Sequence, residues 1–386
     1  MNKNSAISPK KHVPKVLFCF ILAVSLFFAC SSHALDYQGL DVAIRGSALE
    51  SYDDNITYLN TDIKRDFITD LSAGVGVAYK GKTGSLGLDV DVTQQLFAMH
   101  PNYNNIAEVA TARVSQELSR YDRINASNAF SHTYEPRNFE DAFERTGGRY
   151  SYFRNNFNVS YEKDLMKQLG LAARYANSIN IISRSDVSDS YLNLGGAELS
   201  YFYSSDLSFR ASYNFSSRWF TAGGNASKHD IAAGMRYNFT DKFYFDGRAG
   251  MDIMNSYNDK YYLRPHIVAS LVNDIDATTR ASVRFDQEFV MNAFREDLFN
   301  QWQVSGVLMK QIFRRLGGRL TGFYGRGKYV TDVIEDNFWG AHAGLIYDFT
   351  EKIKGKVNYT HAHRMSGADV LQYAKNVITA GISLEF

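Results

Sequence analysis

Cysteine, proline and tryptophan are all scarce: the 386-residue chain has two, five and three of them. Cys19 and Cys30 both lie near the N-terminus, so the rest of the chain offers no thiol for a disulfide, a zinc-thiolate cluster or a nucleophile. With so little proline, a collagen-like repeat or a proline-rich linker is excluded. Long hydrophobic runs are missing too. The only one, Val16 to Cys30, is shorter than the roughly 20 residues a helix needs to cross a bilayer, which excludes a bundle of transmembrane helices. Nor is there an excess of positive charge, with 42 Lys and Arg against 41 Asp and Glu, so nothing supports a nucleic-acid partner.

What the chain does have is aromatics. Its 27 Phe and 25 Tyr favour β structure with aromatic belts. The N-terminal segment reads as an export leader: Lys3, Lys10, Lys11 and Lys15, then the apolar run, then Ser32-His33-Ala34 as a small-residue cleavage site. Residues 1–34 are expected to be removed, leaving 35–386 as a single domain beginning at Leu35. Phe27-Phe28-Ala29 is a poor lipobox, so cleavage is preferred to lipidation of Cys30. The leader carries four of the 42 bases and no acid, which leaves the remainder near a net charge of -3.

That remainder alternates with the period of a strand almost throughout. Leu207, Phe209, Ala211, Tyr213 and Phe215 form one face against Ser208, Arg210, Ser212, Asn214 and Ser216. The same pattern repeats from Ile231 to Phe239 and from Phe243 to Ile253. Short polar turns flanked by apolar residues, such as Tyr203-Ser204-Ser205-Asp206-Leu207 and Phe349-Thr350-Glu351-Lys352-Ile353, alternate with longer polar connections. Eighteen strands are predicted, beginning near Leu40, Asp66, Ser85, Ile106, Arg123, Arg149, Gln168, Asp189, Asp206, Ser227, Phe243, Tyr262, Ala277, Gln301, Gly318, Asn337, Lys352 and Tyr373. The predicted fold class is all-β: a transmembrane antiparallel up-and-down barrel in the outer membrane, with both termini periplasmic and lipid as its surroundings. A soluble sandwich would have two sheet edges to protect, and a closed barrel has none. The ending Ile382-Ser383-Leu384-Glu385-Phe386 resembles the terminal strand of outer-membrane barrels.

In a barrel of this size the inward side chains decide what passes. Arg210, Arg236, Arg248, Arg264, Arg280 and Arg284 fall on the inner face of strands nine to thirteen, interleaved with Asp246, Asp252, Asp286 and Glu288. Lys354 and Lys356 face inward later, and Asp70, Asp89, Asp91 and Glu117 line an early sector. Either a basic wall faces an acidic one across the lumen, or the charges pair between neighbouring strands. The connection from Glu135 to Gly148 is the longest. Its charges, Arg137, Glu140, Asp141, Glu144 and Arg145, make it the expected constriction.

Other motifs carry less. Gly76-Val77-Ala78-Tyr79-Lys80-Gly81-Lys82-Thr83 spells a phosphate loop, but strand-spaced Leu86, Leu88 and Val90 follow where a helix is required, so Lys80 to Gly84 is read as a hairpin turn. His361 and His363 share an outward face and are read as interfacial. His266 and His342 point inward with no partner that the sequence can fix. Asp53, Asp54 and Asn55 suit an Asx-type turn better than a cation site. No serine-hydrolase or zinc-protease motif occurs, so no catalytic residue, metal or cofactor is assigned.

Ser51-Tyr52-Asp53-Asp54-Asn55-Ile56 and Asp66-Phe67-Ile68-Thr69-Asp70-Leu71-Ser72-Ala73-Gly74-Val75 resemble the opening hairpin of the β-barrel porin 2 family. The similarity runs from about Gly46 to Leu96. Ala73 departs from it, since the family more often has Pro there. The resemblance implies a pore associated with exopolysaccharide biosynthesis and a periplasmic polysaccharide-export partner. A sugar polymer would then slide along Tyr and the guanidiniums of Arg210, Arg236, Arg248, Arg264 and Arg284. The residues alone give a wide, charged, water-filled barrel. A general diffusion porin for small hydrophilic solutes is the second reading, and a hydrolase in the barrel wall the third.

Overall fold

A computed structural model describes residues 39–134, 147–332 and 334–386. The leader, the Leu35 cleavage point and the five charges of the expected constriction, Arg137, Glu140, Asp141, Glu144 and Arg145, lie outside the described residues.

Eighteen strands make up the fold. The first six are β1 (Leu40–Asp53), β2 (Asp66–Lys80), β3 (Gly84–Phe97), β4 (Asn105–Glu117), β5 (Asp122–Thr133) and β6 (Tyr152–Met166). Next come β7 (Leu169–Ile182), β8 (Ser190–Phe202), β9 (Leu207–Phe220), β10 (Asn225–Asn238), β11 (Phe243–Asn255) and β12 (Tyr261–Asp274). The last are β13 (Thr279–Met291), β14 (Leu298–Phe313), β15 (Leu316–Tyr329), β16 (Glu335–Asp348), β17 (Ile353–Ser366) and β18 (Tyr373–Glu385). Every start falls within three residues of its expected position. Each strand pairs antiparallel with the next, and β1 pairs with β18 from Arg45↔Glu385 to Asp53↔Val377, closing the sheet into a barrel. Ile44 and Phe386 exchange both backbone hydrogen bonds at this seam, 2.8 and 2.9 Å long. The start of β1 and the end of β18 therefore lie at one end of the barrel, the end with the short turns.

Alternation places apolar side chains outside. Ile231, Val283, Leu320, Val357 and Ile378 are each more than half exposed, and together they form an apolar outer band. Aromatic rings edge this band at both ends. Tyr191–Trp219, Trp302–Tyr324 and Trp339–His363 pack near the long-loop end, and Phe239–Phe243 and Tyr347–Phe349 near the short turns. His361 and His363 lie on the outer face as expected, against Trp339.

The short turns are closed by backbone hydrogen bonds and by their own polar side chains. The phosphate-loop look-alike is one of them, with the Gly81 amide donating to the Gly84 carbonyl at 2.8 Å between β2 and β3. Between β12 and β13, the Thr278 hydroxyl and amide both donate to Asp276 Oδ1 at 2.7 Å, which brings that carboxyl down to about 2. What this turn contributes to stability is complete above the ordinary aspartate range and fades as pH falls towards 2.

One strand pair leaves the wall. β12 and β13 are in register only from Ile267↔Gln287 to Asp274↔Arg280, whereas β13 and β14 continue to Met291↔Leu298. Beyond Gln287 the β13–β14 hairpin bends into the lumen, and both of its faces become buried: Phe289, Met291, Leu298 and Phe299 are all less than a tenth exposed.

Candidate functional site

The lumen is the site, and its geometry starts from the wall charges. Of the ten inward residues expected from sequence, Asp252 is buried under the in-turned hairpin and Glu288 stands on it, while the other eight alternate onto the inner side of the wall; most of the ten are matched locally. Arg210 Nη2 lies 2.6 Å from Asp246 Oδ1 across two strands, and Arg284 Nε lies 2.7 Å from Asp286 two residues along its own strand. Arg280 sits 3.6 Å from Asp274. Arg236 lays its guanidinium over the Tyr244 ring at 3.9 Å, and Arg264 is exposed to the lumen. Arg248 keeps a buried Nε without a hydrogen-bond acceptor.

The acidic sector behaves the same way. Asp89 takes Arg45 at 2.7 Å and Arg113 at 3.1 Å, while Asp91 takes the other Arg45 nitrogen at 3.1 Å. Of the two arrangements left open by sequence, pairing between neighbours accounts for these contacts. A pocket of about 170 Å³ remains beside Arg45, Asp91 and Lys354, near the short-turn end.

The long-loop end is different, because connections from several sides of the barrel meet there. The tip of the in-turned hairpin, residues 292–297, reaches the opposite wall. Phe294 packs against Tyr150, Tyr152 and Ile182, and Ser190 Oγ donates to the Ala293 carbonyl at 2.9 Å. The tip is tied down elsewhere by Asp297, which accepts from the Thr331 amide at 3.0 Å, and by Glu296, which accepts from the Gly224 amide at 3.1 Å. Arg295 pairs with Asp332 and lies over the Tyr329 ring.

A second layer comes from the β1–β2 connection. Asp53 Oδ1 accepts from the Asn55 amide at 2.9 Å, so the Asx turn expected at Asp53-Asp54-Asn55 forms. Lys375 then joins Asp53 at 2.6 Å and lies over the Tyr58 ring. Gly148, at φ +99, donates its amide to the Thr57 carbonyl at 2.8 Å, a backbone state that a residue with a side chain would enter only with strain. The Gly147 amide also donates to the Val370 carbonyl at 3.3 Å, so loops from β1–β2, β5–β6, β13–β14 and β17–β18 are joined across the mouth.

Below the hairpin lies the site that sequence reasoning missed. His266 does have carboxylate partners: its Nδ1 is hydrogen-bonded to Asp230 and lies 3.8 Å from Asp252 Oδ1. Lys228 stands 3.8 Å from both Asp252 and Glu288 and donates to the Phe289 carbonyl at 3.0 Å. The Phe289 amide in turn donates to Asp252 Oδ2 at 3.1 Å, so the cluster clasps the backbone where β13 departs. Asp252 Oδ1 and His266 Nε2 are buried without hydrogen-bond partners. His342, the other inward histidine named from sequence, is hydrogen-bonded to the Thr360 hydroxyl at 3.0 Å.

No family model matches this chain, and no curated protein matches it, so the resemblance in its opening hairpin stands without such support. Among solved structures, the chain is similar to the outer membrane protein opdK from Pseudomonas aeruginosa. The TM-score is 0.48 at 10% identity, over 90% of this chain and 99% of that one. OccAB4 from Acinetobacter baumannii gives 0.47 at 9% identity, over 90% and 99%. The FrpB iron transporter from Neisseria meningitidis gives 0.48 at 10%, over 85% of this chain and 64% of that one.

Proposed function

We propose that this chain is a non-enzymatic outer-membrane channel for hydrophilic solutes, with the long-loop end outside and both termini in the periplasm. The observation that carries the reading is the pairing of an apolar outer band, edged by aromatic rings, with an inner face of charged and hydroxyl side chains. If that band lies in hydrocarbon, Ile231→Arg costs about 2–4 kcal/mol near the midplane. Denaturant titration of the protein refolded into lipid vesicles measures this, and an unchanged midpoint removes the membrane reading.

The solute we favour is a surface or exopolysaccharide, handed over at the short-turn end by a periplasmic export protein. Its support is the bridged mouth. A channel for continuous diffusion needs a standing aqueous path, whereas a polymer exporter must stay shut until its cargo arrives. Arg236 stacked on Tyr244 offers the flat, hydrogen-bonding surface on which sugars pass from one contact to the next. A general diffusion porin is the second reading, favoured by the exposed, mixed charges around Arg45, Asp89 and Arg113. Deleting the gene separates the two: loss of surface polysaccharide with normal small-solute uptake is expected, and the reverse result installs the porin.

A further inference from the structure

Asp230 and Asp252 sit directly opposite each other on β10 and β11, both pointing inward. Two like charges so placed repel unless something between them carries positive charge. Asp230 is 3% exposed, Asp252 fully buried and His266 3% exposed, so water screens the pair poorly. Among the described residues Lys228 is the one ammonium in contact, and it is shared with Glu288. This group of side chains therefore holds three carboxylates against one ammonium and one imidazole. Arg174 stops one residue short, bonded to Asn214 at 2.7 Å, and among the described residues Arg264 pairs with neither carboxylate although it is in register with Asp252.

The geometry points to a divalent-metal site formed by Asp230, Asp252 and His266, suited to a borderline ion of the zinc class. One ligand atom from each residue lies within 4.8 Å of the other two. An ion bound at about 2.0–2.2 Å from nitrogen and carboxylate oxygen is reached from there by small side-chain rotations. The remaining lone pairs are committed in the way a metal centre needs. Asn214 donates to Asp230 Oδ1 at 2.8 Å, and the Phe289 amide donates to Asp252 Oδ2 at 3.1 Å. Asp252 is thus oriented through Oδ2 and open at Oδ1, while Asp230 is oriented through Oδ1 and meets His266 Nδ1 through Oδ2, where the ion would take the place of the shared proton. Asp252 Oδ1, within the cluster and with no hydrogen-bond donor, is the atom that an ion satisfies. One nitrogen and two carboxylate oxygens, with water as a fourth ligand, is a donor set that selects Zn²⁺ and its neighbours over Mg²⁺. Because Asp252 also holds the Phe289 amide, the ion ties β10, β11 and β12 to the root of the in-turned hairpin.

The test uses the whole mature chain, folded in detergent, stripped with a chelator and titrated with Zn²⁺ in a calorimeter. One saturable equivalent is expected, weakened at least about tenfold in Asp252→Asn and in His266→Gln. A His361→Ala/His363→Ala variant, altered only on the outer face, is expected to bind as the wild type does. Wild-type protein loaded with Co²⁺ gives a visible absorption spectrum of nitrogen and oxygen ligation, a readout that does not depend on any variant folding. Absence of saturable Zn²⁺ binding by wild type, unchanged binding in folded Asp252→Asn, or loss confined to the His361/His363 variant overturns the site.

Discussion

Replacing residues 292–297 by a two-residue turn is expected to raise single-channel conductance in a planar bilayer several-fold. The tip crosses the mouth from β13–β14 to the β6–β8 wall, where Phe294 enters an apolar cluster and Ser190 holds the Ala293 carbonyl. Removing it detaches the tip's apolar contact with Tyr150, Tyr152 and Ile182 while leaving every wall strand in place. The converse experiment uses the shortage of thiols. Ser190→Cys with Ala293→Cys, in a chain expressed from Leu35 and so without Cys19 and Cys30, is expected to lock the tip and hold conductance low until reductant is added. Equal conductance in the wild type, the shortened variant and the oxidised double cysteine would show that the tip does not control passage.

Arg364→Met is expected to destabilise the barrel by about 3–5 kcal/mol. Arg364 and Asp336 each have about 1% of their side chain exposed. The guanidinium reaches Asp336 Oδ2 through Nε at 3.1 Å and the Tyr329 hydroxyl through Nη2 at 3.3 Å. Substituting the arginine strands a carboxylate beneath the Phe299, Tyr329, Phe338 and Leu371 cluster, where no water replaces the lost partner. The double variant Arg364→Met/Asp336→Leu removes both charges and is expected to recover most of the loss. Urea titration followed by tryptophan fluorescence distinguishes the outcomes. If the double variant is no more stable than the single one, the energy lies in packing and not in the pair.

The wall was legible from sequence because alternation is a property of each strand by itself. Residues such as Phe209, Ala211 and Tyr213 declare their face without reference to any neighbour. Side chains that meet across strands were not legible, because register decides them: Asp230 and Asp252 are opposite only through the offset between β10 and β11, and His266 joins them from β12. The in-turned hairpin did leave a trace. Phe289-Val290-Met291 and Leu298-Phe299 are apolar at consecutive positions, which fits a ribbon buried on both faces and not a wall with one wet side. The length and charge of the longest connection, Glu135 to Gly148, suggest a constriction but carry no information about the apolar ribbon, and its five charges lie outside the described residues.

The seam between β1 and β18 has a kinetic consequence. It joins the two strands most distant along the chain, so the entropic toll of ring closure falls on the last pairing made. Until then the nascent sheet carries two unsatisfied borders that invite aggregation, and a factor that shields or templates those borders would hasten maturation more than one acting on any interior hairpin.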